Sequence, residues 1–226
     1  MKYYELYEKR YKQSHQVLGK AWSEETPDII FEVLIEKYTP CNNPKILEIG
    51  CGEGSNAIHL LSKGYNLFAS DVSPSAIKWC KSKAESNYFD ENRFFTLDIL
   101  NNNHDESYDI IIANSVIHMF VLQEDRDRFY NFIFNHLNPK GIAIISSMGD
   151  GVKHMSDDDL YDLFGDIILK DNQEFERLPC RIVNKENFLG EITKHNNFAV
   201  LDYFIENSIS GFNSSMLAVI EKQNTN

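Results

Sequence analysis

The stretch that most constrains this chain is a short apolar run that breaks directly into glycines: Ile46-Leu47-Glu48-Ile49, then Gly50-Cys51-Gly52-Glu53-Gly54. A run of this kind bounded by turn residues reads as a buried strand. Glycines after it let main-chain N–H groups and a helix N-terminus approach a ligand closely. Asn56 to Lys63 then reads as a helix stopped by Gly64. The alternation continues downstream. Asn66 to Ser70 is a strand, and Ser73-Pro74 supplies the N-cap and first-turn proline of a helix carrying Ile77 and Trp79. Arg93 to Leu97 is a third strand. Tyr108 to Ala113 is a fourth, continuously apolar through Ile110-Ile111-Ile112, as a parallel strand covered on both faces must be. A helix with Phe129, Phe132, Ile133 and Leu137 on one stripe follows, and Asn138-Pro139-Lys140-Gly141 turns into a fifth strand, Ile142 to Ser146. Strands alternating with helices in this way predict a doubly wound α/β sheet.

The flanks behave differently. Residues 2–20 are charged and place Tyr4, Tyr7 and Tyr11 at helical spacing, which predicts an amphipathic helix. Thr26-Pro27-Asp28 reads as cap, first-turn proline and first-turn acid of a second helix running to Tyr38. Residues 149–197 are polar and break the rhythm, with helices predicted over Ser156 to Phe164 and Lys185 to His195. Long insertions in compact domains are usually lids or binding elements. Phe198 to Ile205 and Ser214 to Glu221 form a predicted antiparallel hairpin around Gly211 at the sheet edge, for seven strands in all. The expected organisation is an N-terminal helical cover (1–40), a core (41–148), an insertion acting as a lid (149–197) and a hairpin completing the sheet (198–226).

Composition excludes several classes. The chain of 226 residues is 42% hydrophobic and carries a net charge of −12, which opposes contact with a phosphate backbone, so nucleic acid is not expected as a partner. Cys41, Cys51, Cys80 and Cys180 are scattered without metal-ligand spacing, and no metal is expected. No apolar run approaches the ~20 residues that cross a bilayer, and the expectation is a soluble cytoplasmic protein, monomer or homodimer. The glycine spacing departs from GxGxxG, which lowers a nicotinamide reading, and the lysine and Ser/Thr of a phosphate-cradling loop are absent.

Ile46 to Gly54 is similar to the first motif of class I S-adenosylmethionine-dependent methyltransferases, and three further positions follow in that family's order. Asp71, with Val72 beside it, resembles the acid that binds both ribose hydroxyls. Asp98-Ile99 resembles the acid and main-chain N–H at the adenine. Asn114-Ser115-Val116-Ile117-His118 resembles the segment that holds the methionine part. The resemblance covers about residues 40–148 and implies a Rossmann-like sheet and S-adenosylmethionine as cofactor, with Glu48, Gly50, Cys51, Gly52 and Gly54 forming the loop. Within the family the small-molecule branch that includes thiopurine and tellurite-resistance methyltransferases is closest, and a small-molecule acceptor is expected. The aromatic residues Tyr3, Tyr4, Tyr7, Tyr11 and Trp22 resemble the N-terminal cover of such enzymes, or are ordinary packing of an amphipathic helix. His118 is the candidate proton acceptor, or a structural histidine. Met155, Tyr161, Phe164, Phe175 and Arg181 are the candidates for the acceptor wall, Arg181 as polar selector. A protein side-chain methyltransferase and a non-catalytic cofactor-binding regulator are the alternatives.

Overall fold

The computed structural model of the chain describes residues 3–19, 21, 26–101, 104–154, 178, 180–194, 197–206 and 214–223. Trp22, Met155, Tyr161, Phe164, Phe175, the expected helix over Ser156 to Phe164 and the turn at Gly211 lie outside the described residues.

Seven strands form one sheet: β1 (Lys45–Ile49), β2 (Asn66–Asp71), β3 (Phe94–Thr96), β4 (Tyr108–Ala113), β5 (Leu137–Met148), β6 (Phe198–Glu206) and β7 (Ser215–Lys222). Their spatial order is β3-β2-β1-β4-β5-β7-β6. The pairs β3/β2, β2/β1, β1/β4 and β4/β5 are parallel, and β7 runs antiparallel to both β5 and β6. The expected mixed sheet, parallel except for one C-terminal strand, is therefore what forms.

Burial alternates with the strand period of two. Leu47, Ile49, Ile111, Ala113, Ala143 and Ile145 point to one side, where they meet α5 (Gln123–His136) through Phe129 and Ile133 and α6 (Lys185–Thr193) through Phe188 and Ile192. Ile46, Ile110, Ile112, Ile142 and Ile144 point to the other, against α2 (Ile30–Tyr38), α3 (Ser55–Ser62) and α4 (Pro74–Ser86). Both faces being covered explains why the central strands carry no polar alternation. At the N-terminus α1 (Leu6–Lys12) continues as a π-helical turn, Gln13–Leu18, that Gly19 closes in the left-handed conformation at φ 63°.

Three local expectations are corrected. The second helix begins at Ile30, after a turn in which the Phe31 N–H donates to Asp28 O; Thr26 is not its cap, and Asp28 turns instead toward Asn56 and Asn114. The fifth strand begins at Leu137, pairing with Tyr108 before the register jumps to Ile110/Ile142. The turn residues Asn138 to Gly141 are therefore absorbed as a bulge, with Lys140 at φ 59°. The third strand spans only Phe94 to Thr96, because Glu91 to Arg93 form a single helical turn capped by Asp90.

Candidate functional site

The carboxyl ends of β1, β2, β3 and β4 converge where the strand order reverses between β1 and β4, the position at which open α/β sheets bind ligands. A cavity, partly open to solvent, lies there. Ile49 and Gly50 from β1, Asp71 and Val72 from β2, Leu97 to Leu100 after β3, and Val116, Met119 and Phe120 after β4 form its floor and walls. Tyr4, Tyr7 and Tyr11 from the N-terminal segment close it above.

The glycine turn is built as its composition demands. Gly50, Gly52 and Gly54 have φ of 67°, 54° and 81°, a region that penalises any side chain. Space alone also forbids one: a Cβ on Gly50 would lie 2.5 Å from Val116 Cγ2, and on Gly52 2.9 Å from the Tyr11 hydroxyl. Asp71 ties the turn to the next strand, accepting from the Gly52 N–H at 2.9 Å and the Ser73 N–H at 2.8 Å, one on each carboxylate oxygen. Burial raises its pKa to about 6, and those two N–H groups oppose the rise. Each oxygen keeps lone-pair capacity for a further donor. Glu48, 2% exposed within β1, is pushed to about 8 by burial against a hydrogen bond with Asn56, with the charges of Asp28 and Asp71 adding to the rise. Burial thus favours its protonated form, and its Oε2 has no hydrogen-bond partner among the described residues. Asn56 Oδ1 accepts the Asp28 N–H at 2.8 Å, and the Asp28 carboxylate accepts from Asn114 Nδ2 at 2.9 Å. Asn114 Oδ1 accepts from Ser146, whose oxygen in turn takes the N–H of Ser115, held at φ 57°.

The N-terminal segment is fastened across this floor by polar contacts. Tyr4 donates to Asp98 Oδ2 at 3.0 Å, and Asn101 Nδ2 bridges the two. Glu8 accepts from the Ser73 hydroxyl and from the N–H and hydroxyl of Ser75, at the start of α4. Burial pushes the Glu8 carboxyl up, but those bonds and Lys12 outweigh it and the net shift is downward. His15 Nε2 meets Glu53 Oε1 at 2.7 Å and stacks on Trp79 at 4.2 Å. Glu53 sits inside the glycine turn and is 1% exposed, so a residue of the N-terminal segment supplies a partner to it.

Of the residues singled out in the sequence, Gly50, Asp71, Val72, Asp98, Ile99 and Tyr11 line the cavity together. Glu48, Cys51, Gly52, Gly54, Asn114 and Ser115 stand behind that lining and shape it. Cys51 is buried and its N–H donates to Ser70 O. His118 lies beside the wall formed by Val116, Met119 and Phe120, buried to 4%, with Nδ1 taking the Met148 N–H at 3.4 Å. Burial lowers its pKa to about 4, so the ring is neutral. Arg181 is also buried, and its guanidinium pairs with Glu191 at 2.9 Å. Sequence reasoning did not identify Asp28, Glu8, His15 or Glu191, since each acts on a partner far away in the chain. The apolar lining at Leu97, Leu100 and Met119 likewise carries no signal beyond core hydrophobicity.

Comparison with known proteins agrees with this geometry. The profile of the methyltransferase-domain family matches residues 41–199. A ubiquinone biosynthesis O-methyltransferase of Rickettsia typhi is 35% identical over 128 residues, covering 53% of this chain and 49% of that protein. The chain thus matches about half the length of that relative. An S-adenosylmethionine-dependent methyltransferase from Methanosarcina mazei shares the fold at a TM-score of 0.67 and 17% identity, over 84% of this chain and 96% of that one. Another from Clostridium acetobutylicum does so at 0.64 and 15%, over 96% and 99%. With the profile spanning most of the chain and the sheet and glycine turn in place, the chain belongs to the methyltransferase-domain family.

Proposed function

We propose that this protein transfers a methyl group from S-adenosylmethionine to a hydroxyl of a small-molecule acceptor. The observation that carries the reading is the cavity at the β1/β4 reversal, which brings Gly50, Asp71 and Asp98 onto one apolar enclosure under three tyrosines. The residues fit the cofactor. Asp71 has the acceptor capacity for two ribose hydroxyls, Asp98 and the Ile99 main chain suit an adenine edge, and Leu97, Leu100 and Phe120 give its faces apolar contact. The tyrosine faces of Tyr7 and Tyr11 suit a sulfonium. The hydroxyl acceptor is suggested by the O-methyltransferase relative.

The cofactor supplies an already activated methyl group, so the chain's task is alignment and exclusion of water. Tyr4, Tyr7 and Tyr11 exclude solvent from above. Neutral His118 takes the Met148 N–H on Nδ1, so its proton lies on Nε2, which can donate a hydrogen bond to the acceptor's oxygen. Leu178 packs against the cluster of Tyr7, Tyr11 and Ala76, and Cys180 Sγ is 3.8 Å from Met148 Sδ. Burial raises the Cys180 thiol to about 11, which keeps it protonated at neutral pH and disfavours a nucleophilic role.

Calorimetric titration with S-adenosylmethionine, S-adenosylhomocysteine and NAD tests the reading, followed by methyl transfer to a panel of small phenols read as S-adenosylhomocysteine formed. Micromolar binding of the two sulfur nucleosides and none of NAD is expected. Asp71→Ala should weaken that binding by about 2–4 kcal/mol, from two lost charge-assisted hydrogen bonds. Saturable NAD binding with none for the sulfur nucleosides would overturn it.

A further inference from the structure

Outside the cavity, the structure holds one buried charge cluster that the reading above leaves unused. Glu191 on α6 offers a single oxygen, Oε1, to two guanidinium groups: Arg126 Nε at 3.2 Å and Arg181 NH1 at 2.9 Å. The side chains of Arg126, Arg181 and Glu191 are 2%, 8% and 12% exposed. Two cations sharing one carboxylate in a dry site form a costly arrangement whose usual return is a fixed geometry.

What is fixed is the loop after β4. Arg126 NH1 donates to Phe120 O at 3.0 Å and Val121 O at 2.7 Å, and its NH2 donates to Gln123 Oε1 at 2.7 Å. Arg181 donates its main-chain N–H to His118 O at 2.7 Å. The two arginines therefore hold the main chain at 118, 120 and 121, one from α5 and one from the insertion, and Glu191 is the group common to both. That loop carries His118 and three residues of the cavity wall.

We infer that Glu191 is a positioning residue for methyl transfer, holding His118 and the acceptor-side wall in place through Arg126 and Arg181. The inference rests on the methyltransferase reading, and it assigns Arg181 a holding role through Glu191 in place of direct acceptor contact. Glu191 makes no contact with the cavity itself. Its loss should therefore leave cofactor affinity unchanged and act on turnover. Glutamine keeps the size and one acceptor oxygen but removes the charge. Aspartate keeps the charge on a shorter arm that cannot reach both guanidinium groups equally.

The test compares Glu191→Gln and Glu191→Asp with the wild-type full chain. Three quantities are read: S-adenosylhomocysteine affinity, kcat and KM for the best phenol of the panel, and the side-chain resonances of His118 in histidine-labelled protein, assigned with His118→Asn. The expected result for the glutamine variant is nucleoside affinity within twofold, kcat reduced tenfold or more and displaced His118 resonances, with the aspartate variant in between. A folded glutamine variant with unmoved His118 resonances, or with turnover within twofold of wild type, overturns the inference. If the glutamine variant does not fold, the aspartate variant is judged by the same readings. Failure of the function itself would be distinct: no sulfur nucleoside would bind to wild type, while the His118 resonances would still report on the clamp.

Discussion

Glu48 shows how one buried acid shapes both site and stability. Its folded-state pKa lies near 8 against an ordinary 4.5, so between those values the folded protein holds a proton that the unfolded chain has released. The sign follows: stability from this group is intact below about pH 4.5 and is lost as pH rises toward 8, at up to about 1.4 kcal/mol per pH unit. Asp71 adds a smaller term of the same sign between 3.8 and about 6. Glu48→Gln should therefore flatten the fall of Tm between pH 5 and pH 8, by differential scanning calorimetry of both proteins, without lowering Tm at pH 8. An unchanged fall in the variant would show that Glu48 is ionised in the folded state across that range. The sequence displayed Glu48 as an acid inside an apolar strand that needs a partner. It did not display Asn56 and Asp28 as the groups around it, because a partner across a turn has no fixed spacing.

The N-terminal segment is the element whose role depends most on the structure. Its tyrosine spacing was legible as an amphipathic stripe, and the stripe does bury Tyr4, Tyr7 and Tyr11. The polar fastenings were not: Glu8 reads as an ordinary surface acid until α4 brings Ser73 and Ser75 against it. The strand and helix order was readable because each element carries its own periodicity. Asp28 was misplaced because a cap-like tripeptide looks the same whether its acid faces a helix or an asparagine on another strand's loop. Since the fastenings grip the glycine turn at Glu53 and the β3 loop at Asp98, cover closure and cofactor retention should be linked. Deleting residues 1–22 should leave a folded core that binds S-adenosylhomocysteine at least tenfold more weakly. In the intact chain, saturating S-adenosylhomocysteine should slow proteolysis of the N-terminus. Unchanged cleavage would disconnect the segment from the site.

At the scale of the molecule, the sheet depends on its last strand. Met216 to Ile220 are each 0% exposed, and burying four large side chains there is worth roughly 8 kcal/mol, comparable to the whole stability of a domain. A chain ended after Glu206 loses β7, the strand that joins β6 to the rest. It should lose its cooperative thermal transition and its near-ultraviolet circular dichroism; retention of both would show that the sheet folds without β7. Among the described residues no helix is long and apolar enough to cross a membrane.

The order β5-β7-β6 also sets a timetable. As a ribosome releases the chain from its N-terminus, β6 emerges before β7, the strand it pairs with, and the outer edge of β5 stays uncovered meanwhile. Direct docking of β6 onto β5 would fill the place reserved for β7, a mispairing that must be undone before the sheet can close. The nascent protein therefore commits to its final topology only when β7 threads between them. Slowing translation across residues 207–214 would lengthen that exposure and should raise the aggregated fraction of newly made chains.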